Sequence, residues 1–314
     1  MSVKRSPLWF LKYYHPKFWI TWFGLGILRI FIILPYPQAL RIGSSLGVLA
    51  YHIIPKRRHI TSVNIALCFP ELSPQEQAVL VKNTFRSAGM GIIETALSWW
   101  ASQKKLLALS QVSGLENIHK ALKKQNGIIL YTAHTSTLEI GGALMTFYQP
   151  ILSVYKKAHN QLFEEFLYHS RTQKLTKLVQ TYELRTMIKS LNNNEVAWYA
   201  ADQDFGMKQS VFAPFMGVET ATLITPARIA KMTGAAIVPF FCRRLPDNKG
   251  YLLEILPEVD NFPSGDDVQD ATQLNQLIAD AIKKAPEQYF WAHRRFKTRP
   301  PGEPDVYAIK NSEV

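Results

Sequence analysis

A histidine and a glutamate five residues apart are the best candidates for chemistry in this sequence. They are His134 and Glu139 in Y-T-A-H-T-S-T-L-E-I-G-G, residues 131–142, which follows an apolar run at 127–131. An imidazole oriented by a carboxylate can remove a proton from a hydroxyl group. Ser136 and Glu139 also have the spacing of a capping box, in which both side chains bond to the first turn of a helix. A catalytic pair and a strand turning into a capped helix are therefore both open interpretations.

The spacing of this pair restricts how the two side chains could meet. Five residues along a continuous helix separate two side chains by about 140°. His134 and Glu139 can approach each other only if His134 precedes the helix and Glu139 belongs to its first turn. The capping box would supply that backbone, so we expect His134 at the end of a strand, where α/β folds gather ligand sites.

Two further polar residues are candidates for the same site. Asp202, in A-D-Q-D-F-G, follows the apolar run 196–200, and it is either a site residue or part of an Asp-rich turn. Arg171 falls near the end of a predicted helix. It could interact with the negative end of the helix dipole there, or it could donate hydrogen bonds to an oxyanion or a phosphate.

The elements that must position these residues begin at Gly127, where short apolar runs start to alternate with helical stretches. This alternation predicts an α/β domain, with a mixed, largely parallel sheet flanked by helices on both faces. The predicted strands are 127–133, 151–156, 176–180, 195–201, 235–242 and 251–256. The predicted helices are 137–148, 160–173, 185–191, 221–233 and 267–285, with Gly234 as a C-cap. Before these elements, the sequence predicts an amphipathic helix at 36–58 and a mainly helical segment at 61–125. Within that segment, Ser73-Pro74 is expected to begin a helix.

Charge and aromatic residues are concentrated at the N-terminal end. Residues 1–70 hold nine Lys and Arg and no Asp or Glu, although the whole chain has a net charge of +12. A basic, aromatic end on a nearly neutral body indicates a membrane surface rather than nucleic acid. Residues 18–34 contain a single charged residue, Arg29, and this stretch is short for a bilayer span. We expect an N-terminal hydrophobic membrane-anchoring helix, spanning or interfacial, with a signal peptide or a buried helix as alternatives.

Four segments follow from this organisation: a membrane anchor at 1–35, a helical membrane-proximal segment at 36–125, an α/β core at 126–305 and a tail at 306–314. The two cysteines are far apart, and the histidines lack ligand spacing, so we expect no disulfide framework and no metal. No glycine-rich phosphate loop is present. G-S-S-L-G at 43–47 has the spacing of a hydrolase nucleophile elbow, but its helical setting favours close helix packing.

Several segments together resemble the late acyltransferases of lipid A biosynthesis, the lauroyl- and myristoyl-transferring members of the lysophospholipid acyltransferase superfamily. The H-x4-E segment is shared by the whole superfamily. More specific are A-D-Q-D-F-G at 201–206, S-V-F-A-P-F-M-G-V at 210–218 and P-E-Q-Y-F-W-A-H-R-R-F-K-T-R-P at 286–300. The resemblance extends from about Leu34 to about Pro304.

The resemblance implies transfer of a fatty acyl chain from acyl carrier protein to the hydroxyl of a 3-hydroxyacyl chain on an anionic, Kdo-bearing lipid A precursor. It implies an enzyme at the cytoplasmic face of the bacterial inner membrane, in contact with its lipid. His134 would be the general base with Glu139 as its partner, and Arg171 and Asp202 would bind substrate or the oxyanion. No cofactor is expected, because the thioester donor is already activated. An acyl-thioesterase or lipid hydrolase using the same pair with water is the alternative.

Overall fold

The centre of the molecule is a seven-stranded sheet in a computed structural model that describes residues 9–308. The strands of the chain are β1 Ser110–Ser113, β2 Ile128–Thr132, β3 Leu152–Tyr155, β4 Lys177–Gln180, β5 Val196–Ala200, β6 Ser210–Phe215, β7 Val218–Leu223, β8 Ala236–Arg244 and β9 Tyr251–Ile255. The sheet has the order β1-β9-β8-β2-β5-β3-β4. Only β8 and β9 pair antiparallel, and the other neighbours in this sheet are parallel. The predicted mixed, largely parallel sheet is therefore confirmed.

Helices precede, connect and cover these strands. They are α1 Trp19–Phe31, α2 Tyr36–Ile53, α3 Pro55–Cys68, α4 Pro74–Trp100, α5 Gln103–Leu107, α6 Leu115–Leu122, α7 Leu138–Met145, α8 Gln161–Thr172, α9 Leu184–Asn192, α10 Thr225–Thr233 and α11 Asp267–Lys284. Short 3-10 helices include Pro286–Gln288, which follows α11. Two predicted ends are confirmed: Ser73 and Glu76 form a capping box at α4, and Gly234 ends α10 in the left-handed conformation.

Strand β2 shows why the central sheet is covered on both faces. All five of its residues are buried. Successive side chains of a strand point to opposite faces, so such a strand needs an apolar layer on each side. Ile129 and Tyr131 join one hydrophobic core, while Ile128 and Leu130 join the other.

Three predictions about the elements were wrong in detail. The six predicted strands are present, but β1, β6 and β7 were missed. The hairpin of β6 and β7 turns at Met216-Gly217, where both residues have positive φ, as tight two-residue hairpin turns require. The start of the helix predicted at 221–233 belongs to β7. The helix predicted at 36–58 breaks at Ile54, because Pro55 begins a new helix.

The N-terminal helices present apolar side chains to solvent. Helix α1 has 13 residues, and among the helices between Trp9 and Ala308 none is long and apolar enough to cross a bilayer. The predicted anchor is therefore not confirmed as a span. Large exposed apolar residues occur on both α1 and α2: Trp19, Ile20, Phe23, Ile30, Leu46, Leu49 and Ile53.

Helix α2 packs so closely on α4 that glycines are required at the contact. A Cβ at Gly47 would lie 2.1 Å from the carbonyl oxygen of Phe85, and one at Gly89 would lie 2.1 Å from the carbonyl oxygen of Gly43. Real Cβ atoms do not approach a backbone oxygen this closely. The small residues of the G-S-S-L-G stretch therefore serve helix packing, as their helical setting predicted.

Candidate active site

His134 and Asp202 meet because the strands that precede them are neighbours. His134 lies two residues beyond the end of β2, and Asp202 lies two residues beyond the end of β5. The two strands pair parallel, with Thr132 opposite Ala200. Both side chains therefore leave the same edge of the sheet at the same level, at the carboxyl ends of its strands.

Asp202 holds His134 by two hydrogen bonds, one to its side chain and one to its backbone. The distance from His134 Nδ1 to Asp202 Oδ1 is 2.5 Å, and the backbone N–H of His134 donates to Oδ2 over 3.0 Å. An ionised carboxylate can only accept hydrogen bonds, so Nδ1 carries the proton. In the neutral imidazole the lone pair is then on Nε2, which is the arrangement a general base needs.

His134 and Asp202 shift each other's pKa values. Burial by itself lowers the pKa of His134, but the nearby Asp202 carboxylate outweighs it, and the net shift is upward from 6.5. Burial by itself raises the pKa of Asp202, but the His134 charge, its hydrogen bonds and Arg295 lower it to about 2. Asp202 is 1 % exposed and His134 is 30 % exposed. The carboxylate is thus covered and ionised, while part of the imidazole remains accessible.

Glu139 pairs with Arg171, although the sequence spacing had suggested His134 as its partner. Among the described residues no hydrogen bond or ion pair joins Glu139 to His134. The Arg171 guanidinium donates from Nε to Oε1 over 2.9 Å and from Nη2 to Oε2 over 2.6 Å. Burial by itself raises the pKa of Glu139, but this guanidinium lowers it below 4.5. Arg171 comes from the last turn of α8 and Glu139 from the first turn of α7. The four residues predicted for the site therefore form two separate pairs, His134 with Asp202 and Glu139 with Arg171.

The capping box predicted for Ser136 and Glu139 is wrong. Helix α7 begins at Leu138 with Thr137 as its N-cap, and no side chain bonds to this end. Ser136 Oγ instead bonds to Ser87 Oγ on α4 over 2.8 Å. Both carboxylate oxygens of Glu139 accept hydrogen bonds from Arg171 instead.

A late segment of the chain fixes the backbone of the His134 turn. The backbone N–H of Ser136 donates to the carbonyl of Gln288 over 2.7 Å, and that of Phe290 donates to the carbonyl of His134 over 3.0 Å. Between them, Tyr289 is buried, and its pKa is raised well above 10 by burial and by the Asp202 charge. This tyrosine is therefore a neutral neighbour of the carboxylate.

A buried ion pair behind the turn was missed by sequence reasoning. Arg244, at the end of β8, donates to Glu94 of α4 from Nε over 2.5 Å and from Nη2 over 2.7 Å. Its Nη1 also donates to Ser87 Oγ over 3.2 Å. Glu94 is fully buried, and an acid on the apolar face of a long helix is the sequence signal that could have revealed it. The network ties α4 to Ser136, two residues after His134.

An apolar cavity of about 240 Å³ adjoins the turn. Its lining includes Thr135 and Ser136 from the turn, with α4 on one wall and the segment 287–292 on the other. The apolar side chains that line it include Phe85, Ala88, Ile92, Phe290 and Trp291. Ile92 and Phe290 are about half exposed, so the mouth of the cavity is apolar as well. Across the described part of the chain, no group of three or more His, Cys, Asp or Glu residues could hold a metal.

The strand ends of this α/β fold thus carry a His–Asp pair with an accessible imidazole, beside an apolar cavity. The sequence profile of the bacterial lipid A biosynthesis acyltransferases matches residues 10–298. The chain therefore belongs to this family and is an acyltransferase.

Curated relatives resemble the chain along nearly its whole length. It is 40 % identical over 294 residues to the lipid A biosynthesis lauroyltransferase of Escherichia coli, covering 93 % of this chain and 96 % of the relative. It is 37 % identical to the palmitoleoyltransferase of that organism over 94 % of this chain and 97 % of the relative. The myristoyltransferase of the same bacterium is 26 % identical over 95 % and 93 % of the two chains. The relatives thus differ in the acyl group that their names give.

Proposed function

We propose that the protein transfers a fatty acyl chain from acyl carrier protein to the hydroxyl of a 3-hydroxyacyl chain on a lipid A precursor. His134 is the general base in this reaction, and Asp202 is the carboxylate that orients it. The observation that carries the proposal is the bond of 2.5 Å between Nδ1 and Asp202, which leaves Nε2 of an accessible imidazole to accept a proton.

The proposed reaction begins with proton removal from the acceptor hydroxyl by His134 Nε2. The hydroxyl oxygen then attacks the thioester carbonyl and forms the ester bond, while the carbon–sulfur bond breaks. The imidazolium returns its proton to the departing thiolate, so the base is regenerated. An alcohol is a poor nucleophile and a thioester is an activated donor, so a base is sufficient and no enzyme nucleophile is needed.

The pair of Glu139 and Arg171 supports a role at the oxyanion. Glu139 uses Nε and Nη2 of the guanidinium, and within the described residues Nη1 has no hydrogen-bond partner. A guanidinium held rigidly by a carboxylate is a preorganised donor for developing negative charge. We assign this donor role to Arg171 and the positioning of Arg171 to Glu139.

The apolar cavity of about 240 Å³ supports binding of an acyl chain next to the base. It reaches Thr135 and Ser136, which follow His134, and aromatic and aliphatic side chains line it. Burial of each methylene group stabilises a bound chain by about 0.8 kcal/mol. The residues that close the α4 wall, such as Ala88, would then limit the length of the chain.

A location on the inner membrane, with the site at the cytoplasmic face, agrees with the N-terminal surface. Exposed apolar residues on α1 and α2 include Ile20, which is 86 % exposed, and Phe23, which is 71 % exposed. Helices of this kind lie in the interface with their apolar face among the lipids. The nine basic residues within 1–70, without an acid, add attraction to anionic lipid.

The proposal is tested by incubating the purified protein with acyl carrier protein that carries a defined acyl chain, with and without the lipid A precursor. Mass spectrometry of the lipid should show the mass of one added acyl group. His134→Ala should abolish this product, whereas His119→Ala, a change of an exposed histidine on α6, should leave it intact. Turnover that is dominated by thioester hydrolysis in the presence of acceptor would support the hydrolase alternative instead.

A further inference from the structure

An open cavity of about 1090 Å³ with basic walls lies next to the apolar cavity. It is formed by the end of α2, the first turns of α3, part of α4 and two segments near the C-terminal end of the described chain. Its polar lining includes Tyr51, Lys56, Arg58, His59, Arg294 and Tyr307. The reaction proposed above uses none of these residues.

Two arginines stand on different walls of this cavity, each stacked on a tyrosine ring. The Arg58 guanidinium lies 5.1 Å from the centre of the Tyr51 ring, and the Arg294 guanidinium lies 4.7 Å from that of Tyr307. Arg58 also donates to the carbonyl of Tyr51 over 3.4 Å. These contacts hold both guanidinium groups against aromatic rings, and a planar guanidinium fork is well suited to phosphate oxygens.

The positive charge in this cavity is largely uncompensated. The first turn of α3 contains Lys56, Arg57 and Arg58 and no acid. In the described part of the chain, no carboxylate pairs with Lys56 or Arg58. Arg294 alone has such a partner, Asp305, at 2.9 Å. Neighbouring cations repel each other unless an anion joins them.

The basic cavity adjoins the apolar cavity through Tyr51, whose ring packs against the ring of Phe85 in the apolar cavity with 5.6 Å between the ring centres. Between the lining residues Tyr51 and Pro55, Ile53 is 65 % exposed and Ile54 is 42 % exposed. Ile60 and Val81 line the basic cavity, while Thr61 on α3 and Thr84 on α4 line the apolar cavity at the His134 turn. From Val81 to Ala88 the distance along α4 is about 10 Å. An amphipathic ligand can therefore extend from the basic cavity toward the turn that carries His134.

We infer that this cavity binds the phosphorylated headgroup of the acceptor glycolipid and so places its acyl hydroxyl at the base. The inference rests on the proposed function, which supplies a negatively charged lipid as the acceptor. The uncompensated positive charge of the cavity favours a phosphate, and the two arginines that lie against tyrosine rings can bind its oxygens. The adjoining apolar surface favours a ligand that is also a lipid. Lys56 and Arg58 are thus acceptor-binding residues outside the catalytic pair.

The inference is tested by the double variant Lys56→Gln/Arg58→Gln in the full chain, assayed in neutral detergent micelles. The KM for the acceptor should rise roughly ten- to a hundredfold, because two charge-assisted contacts are lost. The KM for acyl carrier protein and kcat at saturating acceptor should remain near wild type. Lys231→Gln, which removes an exposed cation of α10 outside the cavity, is the matched control and should change no constant.

A second acceptor separates the phosphate from the rest of the lipid. With the same glycolipid stripped of its phosphates, wild type and the double variant should have equal KM values. Binding of radiolabelled acceptor to wild type and to the double variant in micelles can also be measured without an acyl donor. The two proteins are then compared in the absence of turnover. This binding result also separates failure of the inference from failure of the proposed reaction.

Three results would overturn the inference. One is an unchanged acceptor KM in the double variant. Another is a rise in the KM for the carrier protein instead, which would make these cations a protein-docking surface. The third is that the double variant, unlike wild type, no longer floats with vesicles of anionic phospholipid that contain no acceptor. The cations would then recognise the bulk membrane. Inorganic phosphate at millimolar concentration should compete only weakly, because it lacks the lipid part.

Discussion

Replacing Asp202 by asparagine tests the central pair at a single atom. The carboxylate accepts two hydrogen bonds from His134, one from the backbone N–H at 3.0 Å and one from Nδ1 at 2.5 Å. Asparagine has only one oxygen. The backbone N–H is always a donor and will retain that oxygen, so the NH₂ group of asparagine must face Nδ1. The ring nitrogen then has to accept, and the proton moves to Nε2.

This reversed tautomer cannot remove a proton from the acceptor. A histidine base held in the wrong tautomer loses activity on the order of 10³- to 10⁴-fold. The Asp202→Asn variant should therefore reduce kcat by about this factor while it preserves the fold, because the two side chains have the same shape. Loss of the negative charge should also lower the pKa of His134, since that charge is what raises it above 6.5.

Steady-state kinetics and a proton NMR titration of the histidine ring signals measure the two effects. In wild type kcat/KM should increase as the pH rises through the pKa of His134, because only the neutral imidazole can act as a base. Glu139→Gln is the matched comparison: it also exchanges a carboxylate for an amide, but Arg171 is its partner, so the pKa of His134 should hardly move. A shifted pKa in Glu139→Gln, together with an unshifted pKa and less than tenfold loss of kcat in Asp202→Asn, would refute the assignment.

Two further predictions concern stability and are checked by urea unfolding. Gly142→Ala should destabilise the fold by about 1–3 kcal/mol, since the added Cβ would lie 2.3 Å from the ring of Trp198 and the core would be overpacked; an unchanged midpoint would mean that the ring can move away. Glu94→Gln should cost about 3–5 kcal/mol because it leaves Arg244 buried without a counter-charge. Glu258→Gln, which weakens a more exposed ion pair, should cost less than about 1 kcal/mol; equal losses in the two variants would contradict the importance of burial.

The sequence predicted the position of His134 well because that position depends on local pattern. An apolar run predicts strand β2, and a polar residue just after it lies at the carboxyl edge of a parallel sheet. The partner of His134 depends on strand order, which no local pattern contains. Glu139 is near in sequence, but Asp202, 68 residues away, is near in space because β5 is the neighbour of β2.

There is a physical reason why the β6–β7 hairpin was not predicted. β6 contains Pro214, which usually argues against a strand, but the β6–β7 hairpin pairs only with itself and tolerates it. The residue Met216 takes a positive φ of 49°, for which glycine or asparagine is the usual signal. The ion pair of Glu94 and Arg244 joins residues 150 positions apart, so only the apolar setting of Glu94 hinted at it.

The place of β5 in the sheet has a consequence for how the chain is synthesised. Strands β2 and β3 emerge from the ribosome one after the other, yet they are not neighbours, because β5 lies between them. At a synthesis rate of about 5–20 residues per second, Asp202 is made several seconds after His134. During this interval both strands have an open edge that could pair with another chain. Insertion of β5 closes the facing edges of β2 and β3 and delivers Asp202 in the same event, whereas the other edge of β2 stays open until β8 is made and pairs with it.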